Sequence, residues 1–182
     1  MASSSPEQLR VLLATATFLR QDNQVQSLKM VEPQEPEPPE ELLHVRRVWE
    51  RTKHKSPIYK FLLSDVQIVA ASNSGSVDAS LEIKPVHLNS KGTLHGTVSA
   101  CLVDWAGGLA IAATGLERTG SSTDMHTSFV STAKEGEILQ ITATAAKVGG
   151  TLAFTNVEIS TIGRDGGSYV VSVGSHTKYV KQ

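Results

Sequence analysis

Asn89-Ser-Lys-Gly-Thr-Leu-His-Gly-Thr-Val-Ser-Ala-Cys-Leu-Val-Asp-Trp-Ala-Gly-Gly-Leu-Ala-Ile-Ala-Ala113 runs from a turn-rich polar loop straight into an apolar segment carrying one carboxylate, Asp104. Residues 96 to 113 are apolar nearly all round a helical wheel, so the spacing predicts a helix buried in a core and not laid on a surface. A helix opening at His95-Gly96 leaves backbone N–H groups free at its start, where the dipole favours negative charge. That end could hold a developing oxyanion. An ionised carboxylate away from water costs several kcal/mol unless it is paired or hydrogen-bonded, so Asp104 is either satisfied by the structure or functional. Gly107 and Gly108 each cost about 1 kcal/mol against Ala in a helix interior, and together they imply close backbone approach or room for a substrate.

On either side of this helix the periodicity changes. Val66 to Ala71 reads as a strand, and Val77, Ala79, Leu81 and Ile83 alternate with Asp78, Ser80, Glu82 and Lys84 as a second, joined through Ser72-Asn-Ser-Gly-Ser76 into a hairpin. From about residue 122 onward come four more β-type segments, broken at Lys134-Glu-Gly136, Gly149-Gly150 and Gly163-Arg-Asp-Gly-Gly167. One buried helix with two strands before it and four after it predicts an α+β domain, an antiparallel sheet of five to six strands wrapped round the helix.

Upstream, Leu42, Leu43, Val45, Val48 and Trp49 recur at helical spacing between Glu40 and Lys60, interrupted before Pro57. Arg46, Arg47, Arg51, Lys53 and Lys55 make this helix basic, which reads as a solvated face. Before it, Glu32-Pro-Gln-Glu-Pro-Glu-Pro-Pro-Glu-Glu41 is a linker: proline forbids regular structure and the carboxylates repel one another. The first 30 residues carry Ser3 to Ser5, Arg10, Arg20 and Lys29 beside an apolar face of Leu9, Leu12, Leu13, Ala16 and Leu19, loosely like a mitochondrial presequence, although Glu7 and Asp22 run against that pattern. The expected organisation is a flexible extension and linker over residues 1–40 and one domain over 41–182. The expected location is intracellular, cytoplasmic or mitochondrial.

With 17 Lys+Arg against 18 Asp+Glu the chain has no general electrostatic reason to bind nucleic acid or a membrane surface, and no RNA-binding aromatic motif or helix-turn-helix spacing is present. The single Cys101 excludes an internal disulfide; assigned to a different helix face from Asp104, it reads as a small core residue. No CxxC pair or HExxH offers a standard zinc site, and no uninterrupted apolar run of about 18 residues predicts an integral membrane segment.

Gly92-Thr-Leu-His-Gly96, Leu102-Val-Asp104, Ser122-Thr-Asp-Met125, Lys147-Val-Gly-Gly-Thr-Leu-Ala-Phe-Thr155 and Gly174-Ser-His-Thr-Lys178 together resemble the hotdog-fold acyl-CoA thioesterases, in particular the PaaI-like group that includes thioesterase superfamily member 2. The resemblance runs from roughly residue 60 to 180. It implies the hotdog fold, an acyl-CoA substrate, no metal and no cofactor, and a homodimer, often paired into a tetramer, with active sites between subunits. Residue by residue, it implies that the Gly96 N–H and the Asn89 side chain hold the thioester carbonyl. Asp104 of the other subunit activates water as general base or attacks as nucleophile, and Ser122 positions that water. His95 and Thr97 line the same loop on the substrate side, His95 as a support for its shape.

Two departures from the family pattern bear on the acyl pocket: Thr97 stands where close relatives usually have a second glycine, and His126 where some have Asn. Lys91, Lys134, Lys147, Lys178 and Lys181 are candidate partners for CoA phosphates, each more simply read as a solvated surface lysine. His44, His54, His87, His126 and His176 lack ligand spacing and default to structural or solvated roles. A hotdog hydratase or dehydratase and a noncatalytic acyl-CoA binder are the alternatives. The first wants a His and a carboxylate placed to move protons at adjacent carbons.

Overall fold

The computed structural model describes residues 37–162 and 166–181. The presequence-like segment, the first half of the Pro/Glu linker and the first three residues of the break at Gly163-Gly167 lie outside the described residues. Helix α1 (Glu40–Lys55) carries Glu40 and Glu41 in its first turn and Lys53, His54 and Lys55 in its last, each sign at the end where the dipole favours it. Ser56 is extended because it precedes Pro57, which ends α1. Pro57 then opens α2 (Pro57–Leu62), whose first turn Ser56 caps by accepting from the Tyr59 N–H. The basic face of α1 is largely tied up locally, with Arg46 donating to the Ile68 carbonyl at 2.9 Å and Arg47 and Lys53 paired with Glu40 and Glu50. Exposed pairs of this kind contribute little to stability.

The hairpin forms as β1 (Gln67–Ser72) and β2 (Ser76–Glu82). The quoted stretch forms α3 (Gly96–Ala113), followed by β3 (Ser121–Phe129), β4 (Ile138–Val148), β5 (Leu152–Ile162) and β6 (Ser168–Tyr179). All pairings are antiparallel, in the order β1-β2-β4-β5-β6-β3. The connection through α3 therefore carries the chain from β2 across the sheet to β3, which pairs with β6 and forms the far edge. Along β4 and β5 every second residue points inward, so Leu139, Ile141 and Ala143 share one face with Val157 and Ile159.

That face packs on α3, whose opposite side is covered by α1. Leu102, Leu109 and Ile111 are fully buried in the middle, and each contributes about 1.5–3 kcal/mol by leaving water. At 18 residues and a mean hydropathy of 1.4, α3 meets the length and apolarity of a membrane-crossing helix. In this fold it is the core helix, which is why the sequence could afford so little polarity there. Gly107 explains how the sheet comes so close: a Cβ at that position would stand 2.6 Å from Thr155 Oγ1 on β5. Gly108 faces the connection before β3 instead, where a Cβ would stand 2.9 Å from Thr119 Cβ.

Candidate active site

Asp104 sits in the middle of α3, half-buried and not sealed in, with four side chains converging on it. From α2, the Tyr59 hydroxyl donates to Oδ2 at 2.5 Å. From β6, the Lys178 ammonium donates to Oδ1 at 2.7 Å, and from β3 the Ser122 hydroxyl donates to Oδ1 at 3.2 Å. His176, also on β6, places Nδ1 3.6 Å from Oδ1. The sheet register brings the last three together: Ser122 pairs directly across from Lys178, and His176 lies two residues back on the same strand face.

Burial pushes the Asp104 carboxyl up, but the charge and hydrogen bond of Lys178, then the Tyr59 hydroxyl and His176, outweigh it and hold the group below its usual range. Asp104 is therefore the carboxylate anion at neutral pH. His176 goes the other way: burial and the nearby Lys178 lower it, against the opposing pull of Asp104 and Asp124, so its imidazole is neutral. Lys178 is only 4 % exposed, which corrects the expectation of a solvated surface lysine. Cys101 is corrected as well. Three residues before Asp104 it shares that residue's helix face, and burial followed by the Asp104 charge pushes its thiol up to about 11.

The loop candidates gather at the other end, around the start of α3. His95 is the N-cap, its Nδ1 accepting from the Thr97 N–H at 3.2 Å and lying 2.8 Å from the Thr97 hydroxyl. The Val98 N–H donates to the His95 carbonyl at 2.9 Å, whereas the Gly96 N–H has no acceptor among the described residues. A Cβ on residue 96 would meet the Phe129 ring at 3.2 Å, so glycine lets that ring pack over the helix start while the N–H stays bare. Asn89 holds the loop: Nδ2 donates to Thr93 Oγ1 at 2.9 Å and to the Leu94 carbonyl at 3.3 Å, and Oδ1 accepts from the Lys91 N–H at 2.9 Å.

The structure thus brings Asp104 and Ser122 together in one place and Asn89, His95, Gly96 and Thr97 in another. Gly96 and Asp104 are eight residues apart on one helix, about 12 Å along its axis. The remaining histidines behave as ordinary structural groups: buried His87 accepts from the Lys84 N–H and faces the Leu62 carbonyl, His44 faces the Leu116 carbonyl, and His126 contacts Ser128. No group of three or more His, Cys, Asp or Glu side chains that could hold a metal gathers among the described residues.

The sequence and the sheet-wrapped helix match known proteins. The thioesterase superfamily profile matches residues 91–168. Human acyl-coenzyme A thioesterase 13 is 34% identical over 126 residues, covering 69% of this chain and 87% of that protein. The chain belongs to the thioesterase superfamily. Among solved structures, zebra fish thioesterase superfamily member 2 superposes with a TM-score of 0.66 at 34% identity over 76% of this chain and 96% of that one. The mouse protein of the same name gives 0.62 at 32% identity over 74% and 96%. The hotdog fold expected from the sequence is the fold observed, with six strands round a central helix and α1 added outside.

Within this thioesterase fold, three groups round Asp104 were not read from the sequence as its partners: Tyr59, His176 and Lys178, the last of which was a candidate for CoA phosphates. All three lie outside the segment matched by the superfamily profile. For the last two a signal existed, since His176 and Lys178 alternate on one strand face inside a motif already quoted. Tyr59 gave none, because its contact spans 45 residues and depends on how α2 folds back over α3.

Proposed function

We propose that this thioesterase hydrolyses acyl-CoA thioesters to the free acid and CoA, at a site shared between two copies of the chain. The substrate class rests on the human relative's name as an acyl-coenzyme A thioesterase. The sharing rests on one observation: the bare N–H of Gly96 and the anion of Asp104 lie about 12 Å apart along the same helix, too far to act on one carbonyl carbon. A second copy related by a twofold axis would set its Asp104 opposite the first copy's Gly96. Of the two edge strands, β1 and β3, it is β3 that carries Ser122, so edge-to-edge pairing there would run one sheet through both copies. A dimer of such dimers is the larger assembly we infer.

In this reading the Gly96 N–H receives the thioester oxygen. Asn89 joins it by exchanging its longer bond, 3.3 Å to the Leu94 carbonyl, for the substrate. Asp104 and Ser122 hold the water. As the water oxygen bonds to the carbonyl carbon, its proton passes to Asp104 and charge moves onto the held oxygen. Collapse then breaks the carbon–sulfur bond, and CoA leaves as a thiolate that takes the proton. One preorganised oxyanion donor contributes about 3–4 kcal/mol to the barrier. His95 keeps the loop in shape through Thr97. Against the hydratase alternative stands the burial of His176, the histidine beside Asp104, which keeps its ring from reaching a substrate carbon.

Thiol release from short-chain, long-chain and aryl acyl-CoAs tests the reaction, with at least about a hundredfold loss expected in Asp104→Asn. Equal turnover in that variant would overturn the role of Asp104. Mixing Asn89→Ala with Asp104→Asn chains tests the sharing: hybrid dimers keep one intact site, so about one quarter of wild-type activity returns at equal mixing. No recovery after proven subunit exchange would rule the shared site out.

A further inference from the structure

The Asp104 carboxylate has four principal acceptor positions, two on each oxygen, and the side chains around it occupy three. Oδ1 takes the Lys178 ammonium at 2.7 Å and the Ser122 hydroxyl at 3.2 Å, which fills it. Oδ2 takes the Tyr59 hydroxyl at 2.5 Å and has one position left. We propose that Tyr59 is a positioning residue of this active site: its hydroxyl fixes the Asp104 carboxylate so that the second lone pair of Oδ2 is the single acceptor offered to the attacking water. The inference rests on the proposed use of Asp104 as the base.

Tyr59 is built in for that contact. Ser56 and Pro57 start a new helix just ahead of it, and the Ser56 hydroxyl accepts from the Tyr59 N–H at 3.5 Å, which fixes the backbone. The ring packs against Trp49 with centroids 5.9 Å apart, and Trp49 in turn meets Trp105, the residue after Asp104, edge-on at 5.4 Å. An aromatic wall of this kind leaves the phenol little freedom except to point at Oδ2. Burial, then the hydrogen bond and charge of Asp104, raises the phenol further above its usual range, so it remains a donor throughout the working pH. The two oxygens thereby acquire different tasks. Oδ1 is held by charge, while Oδ2 is aimed.

The groups facing Asp104 are Tyr59 from α2, Cys101 from α3, Ser122 from β3 and both His176 and Lys178 from β6, with Asp124 acting on His176 from β3. Only Tyr59 can be changed to an isostere that keeps the packing and removes one donor. In Tyr59→Phe the carboxylate loses a hydrogen bond to its charged form, so its proton affinity rises. The acid limb of kcat/KM should then move up by about one pH unit. Plateau kcat should fall about tenfold while KM stays within about twofold, because the substrate's own contacts are untouched.

The converse substitution places 3-fluorotyrosine at position 59 alone. As a stronger donor of nearly the same shape, it should move the acid limb to lower pH. Its use also covers the case in which Tyr59→Phe fails to fold. An unmoved acid limb in a folded Tyr59→Phe protein, or in the fluorotyrosine protein, overturns the proposal, even where kcat falls, because packing alone would lower kcat without retuning the carboxylate. Asp104→Asn run alongside separates the two readings. If it keeps turnover, the base itself is misassigned; if it is inactive while Tyr59→Phe behaves as wild type, only the positioning role fails.

Discussion

Replacing Lys178 with Met should damage the site through the carboxylate it leaves behind. Lys178 Nζ stands 2.7 Å from Asp104 Oδ1. At an effective dielectric of about 20, unit charges at that distance attract by roughly 6 kcal/mol, much of which is offset by taking the ammonium out of water. Breaking a buried pair typically costs about 3–5 kcal/mol. The Asp104 side chain keeps 32% of its exposure, so water replaces part of the lost partner and the expected cost drops to about 2–3 kcal/mol. For a domain of this size that is a fall in Tm of roughly 5–10 °C at pH 7 to 8.

The pH dependence carries the sign. In the wild type the Asp104 carboxyl lies below its unfolded value, so its contribution to stability is present above the usual carboxylate range and is lost as pH falls through the folded value. Without Lys178 the burial effect is opposed only by the neutral donors Tyr59 and Ser122 and by His176, and the folded value rises. The gap in Tm between wild type and variant should therefore be widest near neutrality and shrink below about pH 4. The acid limb of kcat/KM should move up by about two pH units. Calorimetry across pH and a pH–rate profile read both. A Tm gap that stays constant from pH 4 to 8, together with an unmoved limb, would show that Lys178 acts by packing alone and refute the reasoning.

Three other outcomes are expected. Gly107→Ala should cost about 1–3 kcal/mol, since its Cβ would stand 2.6 Å from Thr155 Oγ1, and adding Thr155→Ala should recover part of that loss; additive losses in chemical denaturation would count against the clash. Single-turnover hydrolysis in 18O-labelled water should place the label only in the released acid, and label in the Asp104 carboxyl would establish a covalent acyl-aspartate route instead. Leu102→Ala, at the fully buried centre of α3, should lower stability by about 2–5 kcal/mol in the same denaturation assay, and a loss below about 1 kcal/mol would mean that the core collapses around the gap.

Periodicity made the fold legible because each element here answers to one local rule. Residues 96–113 are apolar all round and form one helix with those bounds. Alternation marked β2, and glycine-rich breaks separated the later strands. The pairing of β3 with β6 at the far edge was not legible, since strand order depends on which faces cover α3 and no local signal encodes it. The same reason hid the site. Asp104 stood out as a charge in an apolar helix and Ser122 came from the family resemblance, but Lys178 and His176 reach Asp104 only through the β3–β6 register, and Tyr59 only through the break at Pro57. Cys101 was misplaced for a simpler reason: three residues is nearly one helical turn, so it lies on the same face as Asp104.

In the proposed reaction a single helix carries both halves of the chemistry and cannot complete it by itself. Its first turn carries no side chain at Gly96, where a Cβ would stand 3.2 Å from the Phe129 ring. Its middle needs a charge, and a charge there is tolerable only because Lys178, Tyr59 and Ser122 already satisfy it before any substrate arrives. A carboxylate held this firmly is a weaker base than a free one. It gains instead an orientation fixed by rigid elements, with one acceptor direction open, and such preorganisation lowers a barrier more than basicity does when the proton moves only as the carbon–oxygen bond forms. Basicity is needed late in that step, when the attacking water has become acidic, and the lowered carboxyl meets that need while remaining ionised at neutral pH.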